Sequence, residues 1–155
     1  MIIFRYRIND AMINPETNDP IFDITITDSP KDNVKTTFDG KSYTHTIKKE
    51  DIEKVKTIIR KNPELLEIRQ LEPNHNILDG NEYEFIFSNG KKSASLSGYN
   101  ILDYGRQSRK NATLALRTAR TIKDQVLLKY SIKTMIPNRL QHWPKPTPRP
   151  PVIHI

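Results

Sequence analysis

The chain contains no cysteine among its 155 residues. Disulfide bonds, thiolate nucleophiles and zinc sites built on thiolates are therefore excluded. A lack of cysteine fits a reducing compartment, so we expect a soluble, cytoplasmic protein. The sequence also lacks the roughly 18 consecutive apolar residues that a membrane-spanning helix needs. Arg5 interrupts the N-terminal apolar stretch, and we therefore expect no secretory signal.

Acidic residues are scarce in the last third of the chain. Residues 1–99 hold 14 Lys and Arg against 16 Asp and Glu, a balance of −2. Residues 100–155 hold 11 Lys and Arg against two Asp, a balance of +9. Such asymmetry predicts an anionic partner, although a purely solubilising surface could have the same composition. The partner could be nucleic acid, an acidic protein or a membrane surface.

Glycine is also scarce, and two of the five glycines mark predicted hairpins. Asp39-Gly40 and Asn89-Gly90 each separate two runs of alternating residues, which is a strong signal for a β-hairpin. The first hairpin should place Phe38 opposite Lys41 and Thr36 opposite Tyr43. The second should have a return strand over residues 91–97.

The remaining periodicities complete an α+β pattern. Alternation of apolar and polar residues predicts strands around residues 4–8 and 22–27, and helical spacing predicts helices over 49–62 and about 108–130. We expect an antiparallel sheet of five or six strands with two helices packed mainly on one face. Residues 1–136 should form a single domain. Residues 137–155 should form an extended proline-rich basic tail.

This order of elements resembles small uncharacterised bacterial domains of unknown function. The resemblance covers about residues 1–130 and rests on three short segments. These are Glu50-Asp51-Ile52 at the first helix, Leu78-Asp79-Gly80 before the second hairpin and Ser97-Gly98-Tyr99-Asn100 at its end. It implies strands, a helix, a hairpin and a second helix, and it implies no activity.

Basic residues cluster on one side of the predicted second helix. With 100° per residue, six of them fall within an arc of about 140°, and the alanine-rich stripe lies opposite. They are Arg106, Arg109, Lys110, Arg117, Arg120 and Lys123. A basic stripe of this kind can follow a phosphate backbone, so we expect contact with nucleic acid or another polyanion. The alternative is an ordinary solvated helix face.

The tail supplies a second candidate contact surface. Its residues Arg139, Trp143, Lys145 and Arg149 are interleaved with prolines. An exposed indole among cations can stack on bases, and a basic polyproline segment can bind an aromatic-lined groove. Alternatively, Trp143 packs back onto the domain.

No catalytic motif is recognisable, and the four histidines lack the spacing of metal ligands. We therefore expect no metal and no cofactor. The leading hypothesis is a non-enzymatic binding protein. The alternative is a protein-interaction or inhibitor module that uses the sheet face or the proline-rich tail. An enzyme would require a pocket built from Glu82, Glu84, Tyr99 and Asn100.

Overall fold

The computed structural model describes residues 1–10, 20–68, 71, 81–99 and 109–137. Six strands and two α-helices lie within this part of the chain. They are β1 (Ile2–Asp10), β2 (Phe22–Thr27), β3 (Val34–Phe38), β4 (Lys41–His45), α1 (Lys49–Arg60), β5 (Asn81–Ser88), β6 (Ser93–Tyr99) and α2 (Arg109–Gln125). Short 3₁₀ helices follow each α-helix, at Pro63–Leu66 and Leu127–Tyr130. None of the helices described is long and apolar enough to cross a membrane.

The strands form one antiparallel sheet in the order β4-β3-β2-β1-β5-β6. The first strand is central, and its residues Phe4, Tyr6 and Ile8 are buried on one face. The ring centroids of Tyr6 and Phe85 lie 5.3 Å apart across the β1–β5 pair. The predicted α+β class is thus confirmed, with six antiparallel strands and two helices. The predicted tail lies outside the described residues, apart from Pro137.

The first predicted hairpin is confirmed in its register. Phe38 pairs with Lys41, Thr36 with Tyr43 and Val34 with His45. The two turn residues both have positive φ, 51° at Asp39 and 73° at Gly40. A two-residue turn with this geometry matches the twist of the strands that it joins, which is why Asp-Gly specifies the register.

The second hairpin is correct in its strands but differs at the turn. The last pair is Ser88 with Ser93, so four residues form the loop and the return strand begins at residue 93. Gly90 has a φ of 96°, whereas Asn89 is not among the residues with positive φ. The Asn89 side chain instead accepts hydrogen bonds from the amides of Lys91 and Lys92, at 2.8 and 2.9 Å. This side-chain turn closes a four-residue loop, whereas a return strand beginning at residue 91 would have required a two-residue turn.

The helices cover the apolar face of the sheet unevenly. Helix α1 contacts β1 and β5, and the 3₁₀ helix at Pro63–Leu66 contacts β5 and β6. Helix α2 packs beside them, with Ala112, Ala115 and Ala119 buried. The predicted second helix ends five residues early, because the chain continues from Val126 as a 3₁₀ turn. Strands β3 and β4 lie at the end of the sheet beyond α1.

A buried carboxylate links the start of α1 to the end of the second helical region. Asp51 accepts hydrogen bonds from the Tyr130 hydroxyl and from the Lys129 ammonium. The Tyr130 oxygen in turn accepts one from the Lys48 amide at 3.0 Å. Burial alone would raise the pKa of Asp51, but the two donors outweigh it and hold that pKa below its usual value. The charged carboxylate therefore stabilises the fold.

We expect Tyr130→Phe and Asp51→Asn each to lower the free energy of unfolding at pH 7 by about 1–2 kcal/mol, because each removes hydrogen bonds to a buried group. The folded-state pKa of Asp51 lies below its unfolded value of about 3.9. Its contribution is therefore present above that value and is lost as pH falls through the folded-state pKa. In urea unfolding, the free energy of unfolding of Asp51→Asn should be lower than that of the wild type at pH 7, and this difference should be smaller at pH 3. An equal difference at both pH values would contradict this assignment.

Candidate functional site

Three of the predicted basic residues lie together on α2. Lys110 and Arg117 are exposed, and Arg120 is half-buried beside them. With 100° per residue they occupy an arc of about 80° on the side opposite the buried alanines. The structure therefore brings half of the predicted set together. Arg106, the side chain of Arg109, and the tail residues Arg139, Trp143, Lys145 and Arg149 lie outside what the structure describes.

Lys123 does not join the exposed cations, contrary to the expectation from the helical wheel. Only 3% of the residue is exposed, and its ammonium donates a hydrogen bond to the carbonyl of Ile136 at 2.8 Å. Burial lowers the pKa of Lys123, with an opposing effect from Asp124. This lysine holds the segment after α2 against the helix, so it is unavailable to an external anion.

The charge around the exposed cations is mixed. Asp124 is exposed and lies at about the centre of the same arc of α2. A groove of about 740 Å³ runs along this helix, and Lys110 and Arg117 share it with Glu64 and Glu67. Carboxylates within a Debye length weaken the attraction of such a surface for a polyanion. Among the described residues, the basic helix face therefore lacks Lys123 and has carboxylates beside its cations.

Large apolar side chains converge at the β3–β4 end of the sheet. Phe38, Tyr43 and Met135 are 53%, 55% and 45% exposed. They line a groove of about 420 Å³, which we call the edge groove. Its lining residues are Phe22, Thr36, Phe38, Tyr43, His45, Ser131, Ile132, Lys133, Thr134 and Met135. Exposed apolar patches of this kind mark interaction sites more often than scattered single residues do.

Two local features form the edge groove. The β3–β4 hairpin extends the sheet past the strands that α1 contacts, and Phe38 and Tyr43 stay about half exposed there. On the other side, Ser131 adopts a left-handed conformation with φ 59° and ends the 3₁₀ helix. The chain then runs back along the sheet, with Ile132 and Ile136 buried and Met135 exposed between them. The groove lies between this segment and the hairpin.

The second face of the sheet is polar. One row of residues crosses all six strands through Ser42, Thr37, Asp23, Arg7, Glu84 and Ser97. Buried Asp23 accepts a hydrogen bond from Thr25 at 2.7 Å, and the Nε atoms of Arg5 and Arg7 lie 3.6 Å from its carboxylate. Cross-strand pairs of opposite charge stabilise a sheet, so this network has a structural explanation.

The glutamates proposed for acid–base chemistry lie on this polar face. Burial raises the pKa of Glu84, and neighbouring Glu82 raises it further, whereas Arg7 and Asn9 oppose the shift. A groove of about 500 Å³ on the same face is lined by Arg5, Arg7 and Asp23 but does not reach either glutamate. Within the described residues, no three of His, Asp and Glu are grouped to hold a metal ion. The other two residues of the hypothetical enzyme pocket, Asn100 and the side chain of Tyr99, lie outside what the structure describes.

No family model, curated protein or solved structure matches this chain. The geometry of the residues is consequently the sole basis for a functional proposal. The edge groove is the feature that the sequence did not predict as a site. Phe38 and Tyr43 were predicted to lie on one hairpin, but their exposure depends on how far α1 reaches across the sheet. Periodicity within a single element contains no such information.

We expect lysine acylation to distinguish the exposed Lys110 from the buried Lys123 on α2. Treatment of the folded protein with an acetylating reagent, followed by peptide mass spectrometry, should modify Lys110 at least tenfold faster than Lys123. The reason is that the Lys123 amine is enclosed and hydrogen-bonded, even though a lowered pKa favours its reactive neutral form. In urea-unfolded protein the two rates should converge. Equal rates in the folded protein would show that Lys123 belongs to the exposed basic surface.

Proposed function

We propose that this chain is a non-enzymatic protein-binding domain whose contact surface is the edge groove together with strand β4. The observation that supports this proposal is the convergence of Phe38, Tyr43 and Met135, all about half exposed, on one apolar groove. A cytoplasmic location is part of the proposal and rests on the cysteine-free sequence.

The size of the patch indicates a moderate affinity. Half-exposed side chains of this size offer about 100 Å² each, or roughly 300 Å² in total. At about 25 cal/mol per Å², covering them would stabilise a complex by about 7 kcal/mol. Association and side-chain ordering cost at least about 4 kcal/mol. The groove alone therefore suits a transient partner, and tighter binding would require further contacts at its rim.

The partner best suited to this surface is a short segment of another protein. A groove of about 420 Å³ has room for a few side chains, whereas a globular partner would need a flatter and larger surface. Within the described residues, β4 is the last strand of the sheet, and it forms one wall of the groove. An extended segment could place its side chains in the groove while its backbone lies along this strand.

We expect a peptide library displayed on phage to yield binders of the wild-type domain that fail to bind a Phe38→Ser/Tyr43→Ser variant. The loss should be at least tenfold in affinity, because both substitutions remove apolar contact area from the groove. Both side chains are about half exposed, so the variant should remain folded by circular dichroism. Lys110→Ser/Arg117→Ser is the matched control and should bind the peptides as the wild type does. Peptides that bind the groove variant equally well would contradict the proposal.

A second candidate function is binding of nucleic acid or another polyanion through Lys110, Arg117 and Arg120. It is favoured by the position of these three cations on one solvent-facing side of α2. The tail cations Arg139, Lys145 and Arg149, with Trp143, would extend this surface. Asp124 and the nearby Glu64 and Glu67 count against strong binding.

If three cations each neutralise a phosphate, the logarithm of the binding constant should fall with the logarithm of salt concentration at a slope of about −3. Filter binding with a duplex oligonucleotide would measure it. Arg117→Gln/Arg120→Gln should reduce that slope by about two. The absence of binding at 20 mM salt would rule out this second function and leave the edge groove unaffected.

A further inference from the structure

The outer edge of β4 is free in the part of the chain that the structure describes. This strand ends the sheet, and its residues are exposed except for half-buried His45. An edge strand presents backbone donors and acceptors that another strand can use. How the proposed partner binds therefore depends on which residues of β4 point these groups outward.

The hairpin register identifies them. Phe38 and Lys41 flank a two-residue turn, so they form a hydrogen-bonded pair. Such pairs alternate along an antiparallel ladder, which makes Thr36–Tyr43 and Val34–His45 hydrogen-bonded as well. Lys41, Tyr43 and His45 thus direct their amides and carbonyls toward β3. The intervening residues, Ser42 and Thr44, direct theirs toward the free edge.

The side chains of β4 alternate in step with the backbone. Tyr43 and His45 line the edge groove, whereas Ser42 lines the groove on the polar face. A strand that hydrogen-bonds to Ser42 and Thr44 would likewise point every second side chain toward the edge groove. Apolar residues at those positions would cover Tyr43, Phe38 and Met135. Polar residues at the positions between them would face the polar side of the sheet.

Charge decides between a foreign strand and a second copy of this chain. Among the described residues, those that line the edge groove include Lys133 and His45 and no carboxylate, and the nearest one along the hairpin is exposed Asp39 in its turn. Lys41 is exposed at the start of β4. A second copy would bring its own Lys41 to the same edge, and like charges oppose such a dimer. An acidic segment from another protein meets complementary charge instead.

We propose that an extended, acidic segment of a partner protein adds to the sheet alongside β4, hydrogen-bonds to the backbone of Ser42 and Thr44, and places alternate apolar side chains in the edge groove. This inference rests on the proposed function and specifies the partner and its mode of binding. Strand addition derives its affinity from the backbone, and the groove supplies the preference for sequence.

The first test removes one outward amide and leaves the groove unchanged. Thr44→Pro deletes an N–H that points to solvent, which an edge strand tolerates, and Thr44→Ala is the control that keeps it. With a phage-selected peptide as the probe, Thr44→Pro should weaken binding at least tenfold, whereas Thr44→Ala should change it less than twofold. Circular dichroism would establish that both variants are folded. Unchanged binding to folded Thr44→Pro would overturn strand addition.

The second test leaves the protein unchanged. The selected peptide is synthesised with an N-methyl group on one backbone amide at a time. Strand addition predicts that methylation weakens binding at every second position and has little effect between them, because alternate amides face β4. If methylation weakened binding at no position, or weakened it equally at all positions, the result would contradict the inference. It would leave the edge groove proposal standing as long as the Phe38→Ser/Tyr43→Ser variant fails to bind.

The acidic character of the partner has its own test. The selected peptides should be enriched in Asp and Glu, and Lys133→Glu/Lys41→Glu should weaken their binding at least fivefold. Basic or neutral peptides that bind the charge-reversed variant equally well would overturn this part of the inference. Two other occupants would also overturn it. A dimer of the full chain that Thr44→Pro dissociates would show that a second copy occupies the edge. A synthetic peptide covering residues 138–155 that binds more strongly than the selected peptides would show that the chain's own C-terminal segment does.

Discussion

The packing of the helices on the six-stranded sheet is the constraint on which the proposed binding surface depends. Helix α1 contacts β1 and β5, and the 3₁₀ helix at Pro63–Leu66 contacts β5 and β6, whereas β4 lies at the other end of the sheet. The apolar side chains of Phe38 and Tyr43 remain exposed there, and the segment around Met135 closes only one side.

The sequence was sufficient for the elements that short-range chemistry determines. Asp39-Gly40 specified the register of its hairpin because both residues accept positive φ. Asn89-Gly90 specified a hairpin but not its loop, because the Asn89 side chain could satisfy nearby amides in another way. The exposure of Tyr43 depends on how separate elements pack together. No local pattern reports such packing, and the edge groove could not be predicted.

Lys123 illustrates the same limit on the basic helix. Its place at about −40° from Arg109 put it at the margin of the predicted arc, close to buried Leu116 at about −20°. The lysine points inward because its ammonium donates a hydrogen bond to the carbonyl of Ile136, 13 residues further along the chain. A helical wheel includes no such distant acceptor. The remaining cations of α2 share their surroundings with Asp124, Glu64 and Glu67, so their net field is weaker than their number suggests.

The most direct test of this account is to map by NMR the backbone amides that respond when a phage-selected peptide is added to the labelled full chain. The account predicts that the largest chemical-shift changes fall on residues 36–46 and 131–135, with the Ser42 and Thr44 amides becoming protected from exchange with solvent. Changes concentrated on α2 around Lys110 and Arg117, with Ser42 and Thr44 unaffected, would contradict it.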